Sequence, residues 1–168
     1  MEIEIRKVSR DDLAAVLGLM REFAAYEKLE EYLEVTEERL AAAMFSEGAF
    51  VEGLIGYEGE VAAGYAVFYP NFSTFRGQRG FFLEDLYVSE KHRHTGLGKQ
   101  ILAKIANLAE NRGLERIDFQ VLDWNETAIG FYERLGAVRS EEESHFKFTD
   151  QAFRDLATGR RFSRSDLS

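Results

Sequence analysis

Residues Phe82 to Gln100 read FLEDLYVSEKHRHTGLGKQ: an apolar stretch, a short basic loop with two glycines, then the onset of a helical pattern. That order suits an anion. Gly96 and Gly98 let the backbone approach a ligand closely, the first amides of a helix have no intrahelical partner, and the helix dipole favours negative charge there. Lys91, Arg93 and Lys99 cluster in an otherwise acidic chain. A loop of solvated cations is the competing reading, and the glycines weigh against it. Just ahead stand two carboxylates, Glu84 and Asp85. Glu84 lies between Phe81-Phe82-Leu83 and Leu86, where partial desolvation would raise a carboxyl towards the range useful for a general base. A regular strand sends Asp85 to the opposite face; a bulge would change that. A charged pair at a sheet edge is the alternative for both.

Two phosphate-binding motifs fail on their residues. GxxxxGK[ST] is absent, and a dinucleotide fingerprint would need Gly or Ala where Ile101 stands. Zero cysteines remove disulfides, thiolate metal sites and thiol nucleophiles. His92 and His94 are spaced i, i+2 and His145 is remote, so no metal is expected. A net charge of −9 repels polyanions, which argues against nucleic acid. No apolar run approaches the ~18 residues that span a bilayer, and MEIEIRKV alternates unlike a signal peptide. A soluble, cytoplasmic protein without membrane contact is expected. Its 168 residues, 45% hydrophobic with one proline, suit a single domain over 1–157 and a frayed basic tail over 158–168, with Arg160, Arg161 and Arg164.

The elements that position this stretch follow from periodicity. Glu2 to Val8 alternates as a strand. Ser9 and Asp12 resemble a capping box before a helix through about Glu27, with Leu13, Val16, Leu17, Met20, Phe23 and Ala24 at helical spacing. Six glutamates between Glu27 and Glu38 form either a solvated connector or a cation-attracting rim, and a second helix starts near Thr36. Two strands flank Glu58-Gly59-Glu60 as a hairpin between Ala49 and Tyr69. Pro70 to Gly80 reads as a loop, Phe81 to Val88 as a strand and Gly96 to Arg112 as a helix stopped by Gly113. Arg116 to Leu122 is a strand, Asn125 caps a helix from Glu126 to Leu135, and Ala137 to Phe148 supplies a last hairpin or single strand. The order β-α-α-β-β-β-α-β-α-β makes an α/β sandwich of mixed strand direction.

Arg93-His94-Thr95-Gly96-Leu97-Gly98 matches [RQ]xxGx[GA], the pyrophosphate loop of the GNAT family of N-acetyltransferases. The chain also resembles that family in LEDLYV, FQVLDWNE and AIGFYERLGA, in family order, over roughly residues 3 to 150. With the YE-x-LEE stretch at Tyr26 to Glu31, it looks like the diamine (spermidine/spermine) and thialysine acetyltransferases. The resemblance implies a mixed, mostly antiparallel central sheet flanked by helices, acetyl-CoA as cosubstrate, no metal, a small amine as substrate and a homodimer.

Acetyl transfer to an amine needs a neutral nucleophile. An alkyl ammonium with a pKa near 10.4 costs roughly 4.6 kcal/mol to deprotonate at pH 7. The resemblance implies Glu84 as base through water, direct attack, and Tyr132 as the acid that protonates the thiolate; a core role for Tyr132 is the competing reading. Leu86, Tyr87 and Val88 would bind the cosubstrate through backbone groups, with Val88 N–H polarising the thioester. Arg93, His94, Thr95, Gly96, Leu97, Gly98 and Lys99 would hold the pyrophosphate, and Asn125, Glu126, Thr127 and Ala128 would add contacts. Tyr26, Glu27, Glu84, Asp85, Asp118, Phe119, Gln120 and Glu142 would line the amine site. Ser73 and Thr74 look more like the thialysine branch, and Arg76 or Arg79 could meet a substrate carboxylate. A thialysine- or lysine-like amino acid or short diamine is therefore expected. Polyamines, a protein amine, or a non-catalytic CoA sensor are the alternatives.

Overall fold

A computed structural model describes residues 2–159, and the tail arginines 160, 161 and 164 lie outside the described residues. The chain divides after Gln120 into two compact units.

The first unit begins with β1 (Ile3–Lys7) and a turn of 3-10 helix at Arg10–Asp12. Asp12 accepts from the Ser9 amide at 2.8 Å and from both ends of the Arg6 guanidinium at 2.6 and 2.7 Å. These bonds aim the chain into α1 (Leu13–Glu27), which buries Leu13, Val16, Leu17 and Met20 at helical spacing. Then come α2 (Glu37–Phe45), capped by Thr36, and the hairpin β2 (Glu52–Glu58) and β3 (Val61–Ser73). Glu58 pairs with Val61 across a two-residue turn in which Gly59 takes φ 62°. The strand β4 (Gln78–Val88), the helix α3 (Leu97–Asn111) and the strand β5 (Arg116–Phe119) complete the unit.

The sheet runs β1-β2-β3-β4-β5, antiparallel throughout except for the parallel β4–β5 pair that α3 joins. One apolar layer lies between the sheet and α3, with Leu54, Ala66, Phe68, Phe81, Leu83 and Ile101 among its buried members. The other lies between the sheet and α1–α2, with Ile55, Tyr65, Val67 and Tyr87. The alternation of Leu54 with Ile55 and of Ala66 with Val67 is the period-two pattern of a sheet covered on both sides.

Two sequence expectations are corrected here. The loop expected from Pro70 to Gly80 is only Thr74–Gly77. β3 passes through Pro70, because β2 stops pairing at Phe68 and β3 is an edge strand on that side from there on. Arg116 to Leu122 is a strand only as far as Phe119.

The second unit contains α4 (Glu126–Arg134) and α5 (Asp150–Thr158). Asn125 caps α4 as expected, its side chain accepting from the Ala128 amide at 3.2 Å. The strand or hairpin expected between Ala137 and Phe148 does not form: residues 137–148 pair with no strand, and α5 follows. No helix among the described residues is long and apolar enough to cross a membrane.

Candidate active site

The register of β4 against β3 slips at one place. Asp85 lies opposite Val67 and Leu83 opposite Phe68, so Glu84 is an extra residue, a β-bulge. The bulge reverses the phase of β4. Before it, Phe81 and Leu83 face α3; after it, Tyr87 faces α1, and Leu86 and Val88 take the α3 side. Glu84 and Asp85 consequently share the α1 face instead of opposing each other. Tyr69 Oη donates to Glu84 Oε2 at 3.0 Å, and Tyr65 Oη donates to Asp85 Oδ2 at 2.9 Å. Tyr65 and Tyr69 are four residues apart on one face of β3, so their hydroxyls serve adjacent carboxylates.

The two carboxylates differ in environment. Glu84 is exposed, so the desolvation expected at Glu84 is found at its neighbour instead. Asp85 is half-buried, and burial pushes its carboxyl up to about 6; the Tyr65 bond opposes this and the Glu84 charge adds to it. Burial and the Asp85 charge also raise Glu27, the last residue of α1. Burial holds the Tyr65 hydroxyl well above the usual tyrosine range, and burial with the Glu84 bond pushes Tyr69 up to about 12. Both phenols are hydrogen-bond donors at neutral pH.

Beyond the bulge one edge of β4 is open. The Ser89 amide donates to Ala63 O at 2.9 Å. That makes Ala63 and Ser89 a hydrogen-bonded pair, so Gly64–Val88 and Ala66–Leu86 are non-hydrogen-bonded pairs. The N–H and C=O groups of Val88 and Leu86 therefore point away from β3. β5 pairs with β4 only through Leu83, so no strand among the described residues meets them. Arg93 Nε reaches Val88 O at 3.3 Å, which confirms the direction of that carbonyl.

The loop from Ser89 to Gly96 delivers this edge to the start of α3. His92 is buried and pinned at both ring nitrogens, by Ser89 Oγ at 2.6 Å and Glu58 Oε2 at 2.8 Å. Thr95 Oγ1 closes the loop on His92 O at 2.5 Å. His94 and Gly96 take φ 63° and 84°, a left-handed pair of corners. The first backbone bond of α3 is Gln100 N–H to Gly96 O, and no side chain caps the helix. The amides of Leu97, Gly98 and Lys99 thus precede the ladder and face outward as donors.

A match to the model of the acetyltransferase (GNAT) family covers residues 14–137. The chain belongs to the GNAT family of acetyltransferases. It is 35% identical over 166 residues to the thialysine N-epsilon-acetyltransferase of Bos taurus, a match covering 92% of this chain and 97% of that one. It is 37% identical over 96 residues to the L-ornithine N5-acetyltransferase of Arabidopsis thaliana, covering 57% of this chain and 42% of the plant protein. Among solved structures, an integron cassette protein from the mobile metagenome of V. cholerae superposes with a TM-score of 0.77 at 25% identity, covering 94% of this chain and 98% of that one.

The remaining residues expected in this GNAT site are placed unevenly. Tyr26 and Glu27 end α1, and the Arg93 guanidinium stacks 4.6 Å from the Tyr26 ring centre and 5.8 Å from that of Tyr87. Arg93 thereby ties the loop to α1. Asp118 is on the Glu84 face, opposite Phe82, but its oxygens already take a bidentate pair from Arg116 at 2.7 Å and Asn71 Nδ2 at 2.8 Å. Phe119 packs into the α3-side layer, so strand phase separates it from the carboxylates. Arg79 shares the phase of Phe81 and is likewise on the α3 side, whereas Arg76 lies in the β3–β4 turn. Gln120 follows β5 directly. In the second unit Asn125 is buried and Glu126, Thr127 and Ala128 form the first turn of α4; Tyr132 packs edge-on against Phe131, and Glu142 is exposed. The sequence reading missed Tyr65, Tyr69 and the Ser89–His92–Glu58 chain. Tyrosines at i and i+4 in a strand, facing a carboxylate pair, were the available signal for the first two.

Proposed function

We propose that this acetyltransferase moves the acetyl group of acetyl-CoA to the side-chain amine of a small cationic amino acid, thialysine- or lysine-like, or to a short diamine. Near full-length likeness to a thialysine acetyltransferase carries the substrate class. The open polar edge of β4 and the uncapped start of α3 fit a pantetheine arm and a pyrophosphate, two parts of acetyl-CoA with complementary hydrogen-bonding needs. When bound, acetyl-CoA supplies a thioester carbonyl open to attack by nitrogen.

In this reading the Leu86 and Val88 backbone groups align the arm, with the Val88 N–H available to the thioester oxygen. The amides of Leu97, Gly98 and Lys99, the Lys99 ammonium and the Gly96 corner receive the pyrophosphate. Glu27, Glu84 and Asp85 favour a cationic substrate, and base duty falls on the Glu84–Asp85 pair. Tyr132 is assigned the proton for the departing thiol on the strength of its FY-x-x-x-GA context. Of the two candidate arginines for a substrate carboxylate, Arg76 remains, because strand phase directs Arg79 to the α3 side.

Thiol release measured over a panel of amines with acetyl-CoA tests the proposal. Highest kcat/KM is expected for thialysine, lysine or ornithine. A clear preference for spermidine would replace the substrate, and absence of turnover with any amine would leave only a CoA-binding role. Tyr132→Phe should lower kcat with acetyl-CoA affinity intact; full activity would remove its role as acid.

A further inference from the structure

We infer that His92 is a positioning residue for the cosubstrate: its imidazole ties the end of β2 to the end of β4 and so fixes the loop that receives the pyrophosphate. This rests on the acetyl-CoA reading above and adds a residue that acts through the loop rather than on the ligand.

Between Ser89 and Leu97 only His92 is buried; the other residues are exposed or half-buried. Both of its ring nitrogens are taken, Nδ1 by Ser89 Oγ at 2.6 Å and Nε2 by Glu58 Oε2 at 2.8 Å. A carboxylate only accepts, so Nε2 donates to Glu58, and the neutral ring accepts from the Ser89 hydroxyl at Nδ1. The backbone closes the same turn. His92 N–H donates to Ser89 O at 2.9 Å, and His92 O accepts from Thr95 Oγ1. Ser89 is itself held to β3 by its amide bond to Ala63 O. His92 thus joins the last residue of β2, the residue that follows β4, and the residue that precedes the Gly96 corner.

The loop so held separates two sets of donors. Val88, on the free edge of β4, lies directly before it, and the outward amides of Leu97, Gly98 and Lys99 lie directly after it. A thioester and a pyrophosphate joined by one arm need those two sets at a fixed separation. Arg93, stacked on Tyr26, secures the outer side of the loop, and His92 secures the inner side. A loop ordered in advance spares the ligand the entropy of ordering it.

A serine, a histidine and a carboxylate bonded in a row also compose a hydrolytic triad. Here Ser89 and His92 are 8% and 7% exposed, so burial denies the hydroxyl an acyl group, and the row serves the loop.

Two acetyl donors separate positioning from general stability, each assayed with the best amine of the panel. S-acetylpantetheine has the arm and the thioester but no pyrophosphate. His92→Phe fills the place of the ring and removes both bonds. It should raise KM for acetyl-CoA about tenfold, while kcat, and kcat/KM for S-acetylpantetheine, stay within about twofold of wild type. Phospho-ADP, the nucleotide half of CoA, carries the pyrophosphate without the arm, and its inhibition should weaken by the same factor as acetyl-CoA. His92→Gln, whose amide nitrogen can replace Nε2, should recover part of the loss. If His92→Phe does not fold, as read by its thermal melt, the same comparison on Ser89→Ala and Glu58→Ala decides, each breaking one bond. Equal losses with both donors, or a KM for acetyl-CoA and phospho-ADP inhibition both unchanged, overturn the proposal while leaving the acetyltransferase reading standing. A wild-type protein that neither binds acetyl-CoA nor acetylates any amine sinks both.

Discussion

Gly80 leaves the space through which Arg116 crosses β4: a Cβ at position 80 would stand 2.4 Å from Arg116 Cγ and 2.3 Å from Arg116 O. The guanidinium that passes over it forms the bidentate pair with Asp118, which in turn holds Asn71. One missing methyl group therefore permits the polar row beside Glu84. Gly80→Ala should destabilise the protein by about 1–3 kcal/mol, as overpacking does. Chemical denaturation checks this; an unchanged midpoint would mean β5 can shift at little cost.

Asp12 joins β1 to α1 through Arg6, Ser9 and Tyr57. Bonds from Arg6 and Ser9 outweigh burial and hold its carboxyl well below the usual range. A depressed carboxyl adds stability that is present above its unfolded value, 3.8, and lost as pH falls through the folded one. Asp12→Asn should therefore cost about 2–3 kcal/mol at pH 7, and the gap to wild type should begin to narrow below pH ~4. Paired thermal melts at pH 7 and pH 3 read this directly.

Asp85 has the opposite sign. Its carboxyl is raised from 3.8 to about 6, so its contribution to stability is complete below pH 3.8 and lost as pH rises through 6. At pH 8 the ionised, half-buried group costs at most roughly 3 kcal/mol. Asp85→Asn should consequently melt higher than wild type at pH 8, with the advantage shrinking by pH 4. Equal melting temperatures at pH 8 would show that the carboxylate is better solvated than its surroundings imply.

Gly96 takes φ 84° at the head of α3, and a Cβ there would meet only the Gln100 side chain at an ordinary 3.8 Å, so Gly96→Ala tests backbone conformation rather than packing. The left-handed corner costs an alanine about 1–2 kcal/mol, and relaxing it would turn the amides of Leu97 and Gly98. Acetyl-CoA binding should weaken about tenfold, equivalent to ~1.4 kcal/mol, and the melting temperature should fall by roughly 2–8 °C. Calorimetry separates the two effects.

Much of this was legible in the residues. Helical spacing located α1, α2 and α3, Gly96 and Gly113 bracketed the last of these, and Asn125 marked the start of α4. The acidic stretch after α1 contains only a short 3-10 turn, at Glu30–Tyr32. What could not be read depends on pairing rather than on type. Pro70 sits within a strand because β2 ends beside it, a fact about a neighbour. Residues 137–148 have strand-like composition, yet among the described residues they pair with no strand. The bulge was conceivable but could not be located, since FFLEDLYV reads the same with or without an extra residue. That one slip moved the half-buried carboxyl from Glu84 to Asp85.

β4 amounts to two half-strands of opposite parity spliced at Glu84. Upstream, Phe81 and Leu83 anchor the helix-covered interior; downstream, the same covalent chain offers its backbone outward and turns Tyr87 towards α1. Excising that single residue would leave Leu83 opposite Phe68 and Asp85 opposite Val67 in an unbroken register, so Asp85, Leu86, Tyr87 and Val88 would keep the faces they have now. The inserted residue therefore adds a second carboxylate beside Asp85 without disturbing the pairing on either side of it.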